Sequence, residues 1–349
     1  MKGFAGFAKM TGLAIALSLA GVQAGSAQED IANFYRGKTM TIIVGSSAGG
    51  GYDLYARTIA RYMPKHLLGA PTIVVANMPG AGSNVAAANI ANVAAKDGTV
   101  MGALFMGLPV EPLFTDVKRR THDPSKFNYI GNANTDVYVC LVRGDAPVKT
   151  FAEAFDKELV LGGTAGGAST RDFPVMLANV LGVKFKVVSG YPGSREMNLA
   201  IEKGEVQGGC GQSWSSVYAT YKQRIDSGEL RVLVQEDTAG YPDLNRQGVP
   251  LSVSFAKTPE QKQILDLVYS QTVFGRPYVV AAEVPAPRVA ALRKAFMDTM
   301  ADPELKAEAQ KMQLDVDATS GEFLQKKIAE IYATPRDIVE KAKRAIELK

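Results

Sequence analysis

Short apolar runs alternate with segments of helical periodicity along most of the chain. Thr39–Val44 is a run rich in β-branched residues that ends at glycines, and Ala56, Ile59 and Met63 then share one helix face. The same alternation recurs further along and resumes at Leu159–Gly163. Strands that alternate with helices in this way predict an α/β protein, with mainly parallel sheets flanked by helices.

A longer extended stretch, Tyr129–Arg143, separates two such series of strands and helices. It is apolar at both ends and polar in the middle, as expected for a strand that crosses between two lobes. A later strand signal near Leu230 is predicted to return the chain. We therefore expect two lobes joined by two crossing segments, with residues 28–134 and 238–349 in lobe 1 and residues 135–237 in lobe 2.

The first 27 residues have the pattern of a secretory signal peptide. Lys2 and Lys9 precede the apolar run Thr11–Ala20, and small residues follow up to Ala27. That run is much shorter than the roughly 20 apolar residues of a membrane-spanning helix. We expect cleavage after Ala24 or Ala27 and an exported mature protein.

Composition excludes several classes of protein. The chain has 349 residues, 46% of them hydrophobic, which suits about two globular domains. Its formal net charge is +4, and removal of the signal peptide leaves 37 basic against 35 acidic residues. No basic stripe stands out, so nucleic acid is not an expected partner. The chain has only two histidines and no Cys/His cluster with zinc spacing, so no structural metal is expected.

Two cysteines, Cys140 and Cys210, remain after processing. An oxidising compartment would allow them to pair in a disulfide. Buried free thiols are the alternative, and the sequence alone leaves both open.

Four glycine-rich loops each follow a predicted strand and precede a predicted helix. Glycines let backbone N–H groups approach a ligand, and the start of a helix favours an anion. Two such loops from one sheet lie at the same edge, where open α/β sheets bind ligands. A single loop of this kind is usually a capped connection, but four at equivalent places favour a ligand site. The predicted contacts are Ser47, Ala48, Gly49, Gly50, Gly51, Tyr52, Asp53, Asn77, Gly80, Ala81, Gly82, Ser83 and Asn84 in lobe 1, and Thr164, Ser169, Thr170, Arg171, Gly190 and Tyr191 in lobe 2.

Individual side chains in these loops have competing explanations. Asp53 and Arg57 stand four apart and can pair on the first helix, or Asp53 can favour the helix start as an acid. Arg171 lies in the first turn of a predicted helix, where a cation is unfavourable, so we consider it a candidate for meeting a ligand carboxylate. Tyr52 and Trp214 can line a pocket or pack against a helix.

Two other site types were considered for the first loop. Gly50 is followed by Gly51 and Tyr52 rather than by the Lys-Ser/Thr of a nucleotide-binding P-loop, and the dinucleotide fingerprint is absent, so no nucleotide cofactor is expected. Residues 45–49 match the G-x-S-x-G elbow of α/β-hydrolases, with Ser47 as nucleophile. That fold needs a late histidine, and neither histidine lies beyond His122. A secreted serine hydrolase is therefore the alternative to a non-enzymatic binding protein.

A set of motifs resembles the substrate-binding receptors of tripartite tricarboxylate transporters. They are Phe34-Tyr35-Arg36-Gly37-Lys38-Thr39, Gly49-Gly50-Gly51-x-Asp53-x-x-Ala56-Arg57, Asn77-x-Pro79-Gly80-Ala81-Gly82-Ser83, Pro285-Ala286-Pro287-Arg288 and Asp302-Pro303-Glu304. The resemblance runs along nearly all of the mature chain. It implies a two-lobed periplasmic-binding-protein fold (type II-like) that closes around carboxylates such as di- and tricarboxylic acids. It also implies a periplasmic location and a membrane permease partner with a large and a small subunit.

The second lobe departs from the family pattern. Residues 166–169 read Gly-Gly-Ala-Ser where many members have Gly-x-Gly-Ser, and Gln207 to Cys210 stand where many carry Val-Asp after a glycine pair. Ligand identity is therefore not transferred, although Tyr52 and Tyr191 hint at an aromatic or longer-chain acid. We expect a monomer that serves a transporter, with a sensor partner as a further alternative.

Overall fold

Two mixed β-sheets, each flanked by helices, form the two lobes of the protein. The computed structural model describes residues 28–114, 121–164, 166–191 and 193–348. The predicted signal peptide, residues 1–27, lies outside the described residues. The described chain begins in a helix, α1, at residues 28–35.

The first sheet has six strands in the order β11-β4-β10-β3-β1-β2. They are β1 Thr39–Val44, β2 Thr72–Asn77, β3 Val100–Ala103, β4 Asn128–Asn132, β10 Pro277–Val280 and β11 Thr319–Ser320. β1 is parallel to β2 and β3, with Val44 opposite both Asn77 and Ala103. The loops that follow these three strands therefore start next to one another at the same edge of the sheet.

The second sheet has five strands in the order β7-β6-β8-β5-β9. They are β5 Tyr138–Arg143, β6 Leu159–Gly163, β7 Phe185–Ser189, β8 Gly208–Ser213 and β9 Leu230–Glu236. β6 is parallel to β7 and β8, and Gly163 lies opposite Ser189. The loops after β6 and β7 therefore also start side by side.

Helices cover both sheets. They are α2 Gly51–Tyr62, α3 Asn84–Asn92, α4 Glu111–Phe114, α5 Ser169–Leu181, α6 Ser194–Lys203, α7 Trp214–Asp226, α8 Pro242–Arg246, α9 Pro259–Tyr269, α10 Ala286–Ala301, α11 Pro303–Lys311, α12 Gly321–Tyr332 and α13 Arg336–Ala345. Asp302 caps α11 as expected. At α13 the N-cap is Pro335. Within the described ranges, no helix is both long and apolar enough to cross a membrane.

The α/β fold class is confirmed, and both sheets are mixed, with most strands of each sheet running in one direction. In the first sheet β10 runs antiparallel to β3 and β4, and in the second sheet β5 runs antiparallel to β8 and β9. β4, β5, β9 and β10 are the strands that adjoin the crossing segments. β4 and β9 run with the parallel strands of their sheets and leave at the site-facing edge. β5 and β10 enter the other sheet from that edge, so these two strands oppose the parallel set.

The chain passes between the sheets at residues 133–137 and again at 237–276. Asn132 ties these two crossings together, because its Oδ1 accepts from the Arg276 backbone N–H at 2.6 Å and its Nδ2 donates to Asn134 and Val273 carbonyls. The predicted extended stretch Tyr129–Arg143 is therefore two strands, one in each sheet, with a short link between them.

The last helix, α13, contacts elements of both lobes. It packs against α4, which follows the first sheet's β3, and against α9 and α5 of the second lobe's face. Asn179 of α5 donates to the carbonyls of Ala345 and Glu347. The lobe boundaries drawn from the sequence stay a prediction. They assign α13 to lobe 1, although this helix also contacts α5 beside the second sheet.

Cys140 on β5 and Cys210 on β8 form a disulfide bond. These strands are antiparallel neighbours in the second sheet. Both cysteines are fully buried. The bond settles the alternative that the sequence left open, and it lies within the second sheet.

Candidate functional site

The first two predicted ligand loops leave the first sheet side by side. Met78 N–H donates to the Val44 carbonyl at 2.8 Å, and Gly45 N–H donates to the Ala103 carbonyl at 3.0 Å. The chain then enters α2 at Gly51 and α3 at Asn84. Residues 47–50 and 79–82 are exposed. Their backbone N–H groups therefore lie at the sheet edge where a ligand is expected.

The Asp53 carboxylate joins the two loops through hydrogen bonds. It is 2% exposed. Its Oδ2 accepts from the Gly49 backbone N–H at 2.8 Å and from Arg57 Nε at 2.9 Å, and its Oδ1 accepts from Asn77 Nδ2 at 2.9 Å. Asn77 also donates to the Ser46 carbonyl. These bonds use the polar atoms of Asp53 and Asn77 within lobe 1, so the two residues position the loops.

Asp53 remains ionised in this setting. Burial by itself raises the pKa of a carboxyl group, but the hydrogen bonds from Arg57, Gly49 and Asn77 outweigh it and lower the pKa of Asp53. The pairing of Asp53 with Arg57 considered from the sequence is present, and it serves the loop as well as the helix.

The Ser83 side chain forms a second hydrogen-bonded link between the loops. Its hydroxyl donates to the Gly45 carbonyl and accepts from the Phe105 backbone N–H, each at 3.1 Å, and the side chain is fully buried. Ser83 and Ala81 adopt positive φ angles of 74° and 46°. Backbone strain of this kind, about 1–3 kcal/mol per residue, persists only where surrounding bonds fix it. The exposed turn at residues 80–82 is therefore held in one shape, and the Asn84 amide, which donates to the Ala81 carbonyl, adds to it.

The loop glycines differ in whether their backbone conformation requires glycine. Gly82 has φ of +62°, as predicted for a residue whose conformation excludes side chains. Gly50 has φ of −84°, and its nearest neighbour, the Ser47 carbonyl oxygen, would be 3.7 Å from an added Cβ. It is Gly49, with φ of +82°, that requires glycine in the first loop. The φ angle of Gly50 therefore does not require glycine, and the expectation that a Cβ there would block the approach of a ligand stays a prediction.

The predicted side chains of the second lobe turn inward. Thr164 and Thr170 bond to each other through their hydroxyls at 2.6 Å, and Ser169 donates to the Gly211 carbonyl at 2.8 Å. Gly190 N–H donates to the Gly163 carbonyl. Gly166, Gly167 and Gly190 are exposed. The loops of the second lobe therefore expose backbone groups, whereas their hydroxyl groups are bonded within the lobe.

Arg171 bonds to its neighbour Asp172 and to the C-terminal segment. Its Nη1 donates to Asp172 Oδ1 at 2.7 Å and to the carbonyl of Ile346 beyond α13. Asp172 in turn accepts from Gly167 N–H, and burial raises the pKa of Asp172 to about 6 despite Arg171. The guanidinium links α5 to the C-terminal helix, so its predicted contact with a ligand carboxylate gains no support.

The three candidate aromatic side chains separate into two groups. Trp214 is 5% exposed, and it and Tyr191 pack in the second lobe's apolar cluster. Tyr52 lies at the first lobe's edge, where its hydroxyl accepts from the Met106 backbone N–H at 3.1 Å. Burial raises the pKa of Tyr52, so the phenol stays neutral. Of the three, Tyr52 is the one placed beside the ligand loops of the first lobe.

The two lobes approach each other at the start of α2. A Cβ added to Gly51 would lie 3.5 Å from Ser216 Oγ in the first turn of α7. A Cβ on Gly107 would lie 3.9 Å from the Gly167 carbonyl oxygen. The beginning of α2 in lobe 1 therefore faces the beginning of α7 in lobe 2.

Arg276 lies at this meeting point, and the sequence analysis did not identify it. Its side chain is 3% exposed, and its guanidinium carbon is 4.4 Å from the Tyr52 ring centre. Nη1 donates to the Gly275 carbonyl, and Nη2 is 3.4 Å from Ser213 Oγ and 3.6 Å from Asp136 Oδ2. Burial alone would lower its pKa, but the adjacent Tyr52 and Asp136 raise it.

Asp136 supplies the compensating charge from the first crossing segment. It accepts from the hydroxyls of Ser213 and Ser215, the second at 2.7 Å, and from the Ser215 backbone N–H at 3.3 Å. The carboxylate therefore caps the start of α7. A single Arg in the apolar run 272–280 was the available signal for Arg276, since an isolated charge among buried residues needs a partner.

A separate cavity of about 510 Å³ lies between α9 and α12. Its lining includes Asp266, Lys327 and Glu330 and contains none of the predicted ligand residues. It is not part of this site.

Comparison with known proteins places the whole arrangement in a family. The sequence profile described as the tripartite tricarboxylate transporter family receptor matches residues 55–343. A curated protein from the TAR-I ttuE-ttuC′ intergenic region of Agrobacterium vitis is 30% identical over 220 residues, which are 55% of this chain. The chain spans 59% of that relative's length.

Solved structures share the fold. MatC from Rhodopseudomonas palustris with bound malate has a TM-score of 0.63 at 20% identity, covering 89% of this chain and 99% of that one. A second R. palustris protein, solved with adipate, has a TM-score of 0.65 at 18% identity, covering 87% and 97%. The two-lobed periplasmic-binding-protein fold that the resemblance implied is confirmed.

Proposed function

Because this chain belongs to the tripartite tricarboxylate transporter receptor family, we propose that it is a periplasmic receptor that captures a small carboxylate between its lobes. It then delivers the acid to a membrane permease with a large and a small subunit. The observation that supports this proposal best is the pair of exposed backbone loops at residues 47–50 and 79–82, which Asp53, Asn77 and Ser83 hold in a fixed arrangement. A rigid set of N–H donors at a helix start suits a carboxylate.

Capture involves no covalent chemistry in this proposal. N–H groups of the two first-lobe loops and of the start of α2 bind one carboxylate. Backbone groups around Gly166, Gly167 and Gly190 close over the other end of the acid. The closed form is then selected by contacts that only it makes. Because the donors are mainly backbone amides, the binding groups keep their protonation across the neutral pH range.

The class of acid follows from the relatives. Two structures of the same fold contain the dicarboxylates malate and adipate. Tyr52 at the edge of the site offers an apolar ring to a longer or aromatic acid. We therefore propose a di- or tricarboxylate or an aromatic acid as the ligand.

A thermal-shift screen of the mature protein tests this function. The panel contains mono-, di-, tri- and aromatic carboxylates, with neutral sugars and amides as controls. One class of acid should raise the melting temperature in a concentration-dependent way, since a ligand that binds only the native state stabilises it. Stabilisation by the neutral compounds alone would contradict the proposal. Loss of uptake of that acid when the gene is deleted would distinguish transport from sensing.

Catalysis by Ser47 is the competing hypothesis that the same screen can include. Ser47 is exposed in the first loop, whereas His66 pairs with Asp302 at 2.6 Å at the start of α11. We expect no hydrolysis of activated esters, and Ser47→Ala should remove none. A burst of product that disappears in Ser47→Ala would overturn the binding-protein proposal. The mature receptor is further proposed to be a monomer.

A further inference from the structure

The guanidinium of Arg276 is charged, buried and incompletely paired. Nη1 and Nη2 have the contacts described above, but Nε is buried and has no hydrogen-bond partner among the described residues. A guanidinium stays charged at every accessible pH. An unsatisfied donor on a buried charged group is costly, so this N–H is a place where an external acceptor would be favourable.

The unpaired edge of the guanidinium faces the start of α2. A Cβ added to Gly51 would lie 3.3 Å from Nη2 and 3.9 Å from Nε of Arg276. Gly51 is the first residue of α2, and the first N–H groups of a helix lack partners within the helix. The absence of a side chain at Gly51 keeps the charged edge and the helix start next to each other.

The groups around Arg276 do not supply the missing acceptor. The rings of Tyr52 and Tyr55 lie 4.4 Å and 5.4 Å from the guanidinium carbon. The Tyr138 hydroxyl interacts with the Arg276 side chain, but Nε still has no partner among the described residues. Asp136 is the nearby anion, but its oxygens already accept from Ser213 and Ser215. Asp136 therefore balances the charge of Arg276 and leaves Nε open.

We propose that Arg276 is the charged ligand contact of this receptor, and that its Nε–H and Nη2–H groups donate side by side to a carboxylate at the start of α2. Paired donation of this kind matches the two oxygens of a carboxylate. The inference rests on the proposed function and adds a rule of selectivity. One end of the ligand must be an ionised acid, because an amide offers one acceptor oxygen and no charge.

The test compares an acid with its own amide. The probe is whichever of malate, adipate, citrate and benzoate raises the wild-type melting temperature most, together with the same molecule carrying one amide in place of a carboxyl. Calorimetry then measures both affinities for the wild type, Arg276→Lys, Arg276→Gln and Gly51→Ala. Arg293→Gln is the matched control, since Arg293 is a partly buried arginine of α10 that binds the Tyr129 carbonyl and Glu322.

The wild type should prefer the acid to the amide by about 10- to 100-fold, the range for hydrogen bonds to a charged group. Arg276→Gln should lose most of this preference, and Arg276→Lys should lose part of it, because lysine keeps the charge without the planar fork. Gly51→Ala should weaken acid binding by about tenfold through its Cβ and leave the fold intact, since alanine favours a helix. Arg293→Gln should keep the wild-type preference.

The outcomes separate the two proposals. If no acid of the panel binds the wild type, the proposed function and this inference both fail. If acids bind but the acid-to-amide ratio is unchanged in Arg276→Lys and Gly51→Ala, only the role of Arg276 is overturned. If Arg276 were only structural, its variants would bind the acid and the amide more weakly by the same factor. The acid-to-amide ratio would then stay constant, and that result also overturns the proposed ligand contact. Should the Arg276 variants not fold, the ratio in Gly51→Ala decides.

Discussion

Single side chains in the first lobe hold backbone in place. Asp53 is the clearest case, because its carboxylate accepts from a loop N–H, from a guanidinium on its own helix and from the Asn77 amide of the next loop. The sequence indicated a helix-start acid but gave no sign of the contact with Asn77, which is 24 residues away. Spacing along a chain predicts partners on one helix, whereas a bond between two loops depends on the register of two strands.

Removing this carboxylate should cost both stability and binding. We expect Asp53→Ala to lower the free energy of unfolding by about 2–3 kcal/mol, the range for hydrogen bonds to charged groups, and to weaken capture of any acid. Asp226→Ala is the control, because Asp226 forms an exposed i,i+4 pair with Lys222, and exposed ion pairs contribute little to stability. Urea denaturation measures the free energy of unfolding of both variants. An equal loss in the two would show that Asp53 contributes no more than an exposed ion pair does.

Individual strands and helices were mostly predictable, and their relative directions were not. β1 and β6 coincide with the apolar runs that predicted them, since buried strands need continuous apolar sequence. Whether β5 or β10 runs parallel to its neighbour depends on where the chain crosses between sheets, which no local pattern records. Arg276 was missed for a related reason. Its partners Asp136 and Ser213 come from other elements, and only the assembled crossing brings them together.

One strand carries a buried acid that should make stability depend on pH. Glu236 at the end of β9 is fully buried, and burial raises its pKa to about 8, although the Gly211 N–H donates to it. The native state therefore keeps a proton that the unfolded chain loses above its ordinary pKa of 4.5. Glu236 therefore makes its full contribution to the free energy of unfolding below pH 4.5, and this contribution declines as the pH rises toward 8.

The variant Glu236→Gln should remove this decline, because glutamine cannot ionise. We expect the free energy of unfolding of the wild type to fall relative to that of Glu236→Gln between pH 5 and pH 8, in urea titrations at each pH. The exposed Glu158→Gln should keep the wild-type profile. Parallel profiles for the wild type and Glu236→Gln would contradict a protonated Glu236.

At the scale of the whole molecule, the two crossings at residues 133–137 and 237–276 define where the lobes can bend. Asn132 and the Asp136–Arg276 pair join the crossings to each other. α13 adds a contact across the lobes through α4 and α5, which the sequence did not suggest. Movement is therefore expected to be a limited hinge rather than free rotation.

A captured acid should shift the molecule toward its closed form. We expect the acid found in the screen to reduce the radius of gyration in small-angle scattering and to raise the melting temperature in a concentration-dependent way. Gly82→Val should abolish the compaction, because a β-branched residue does not fit at φ of +62°. Val188→Thr, an exposed change at the end of β7, is the control. An acid that binds tightly without compaction would refute capture by closure.

The disulfide between Cys140 and Cys210 has a consequence for proteolysis. The exposed loop glycines at 166, 167 and 190 all lie between the two cysteines in the chain. A protease that cuts the backbone at any of them leaves two fragments that are still covalently joined. Such a nicked receptor would run as a full-length species on a non-reducing gel and separate into fragments only after reduction. A cut in the exposed first-lobe loops at 47–50 or 79–82 lies outside the Cys140–Cys210 segment, so its fragments would separate without reduction.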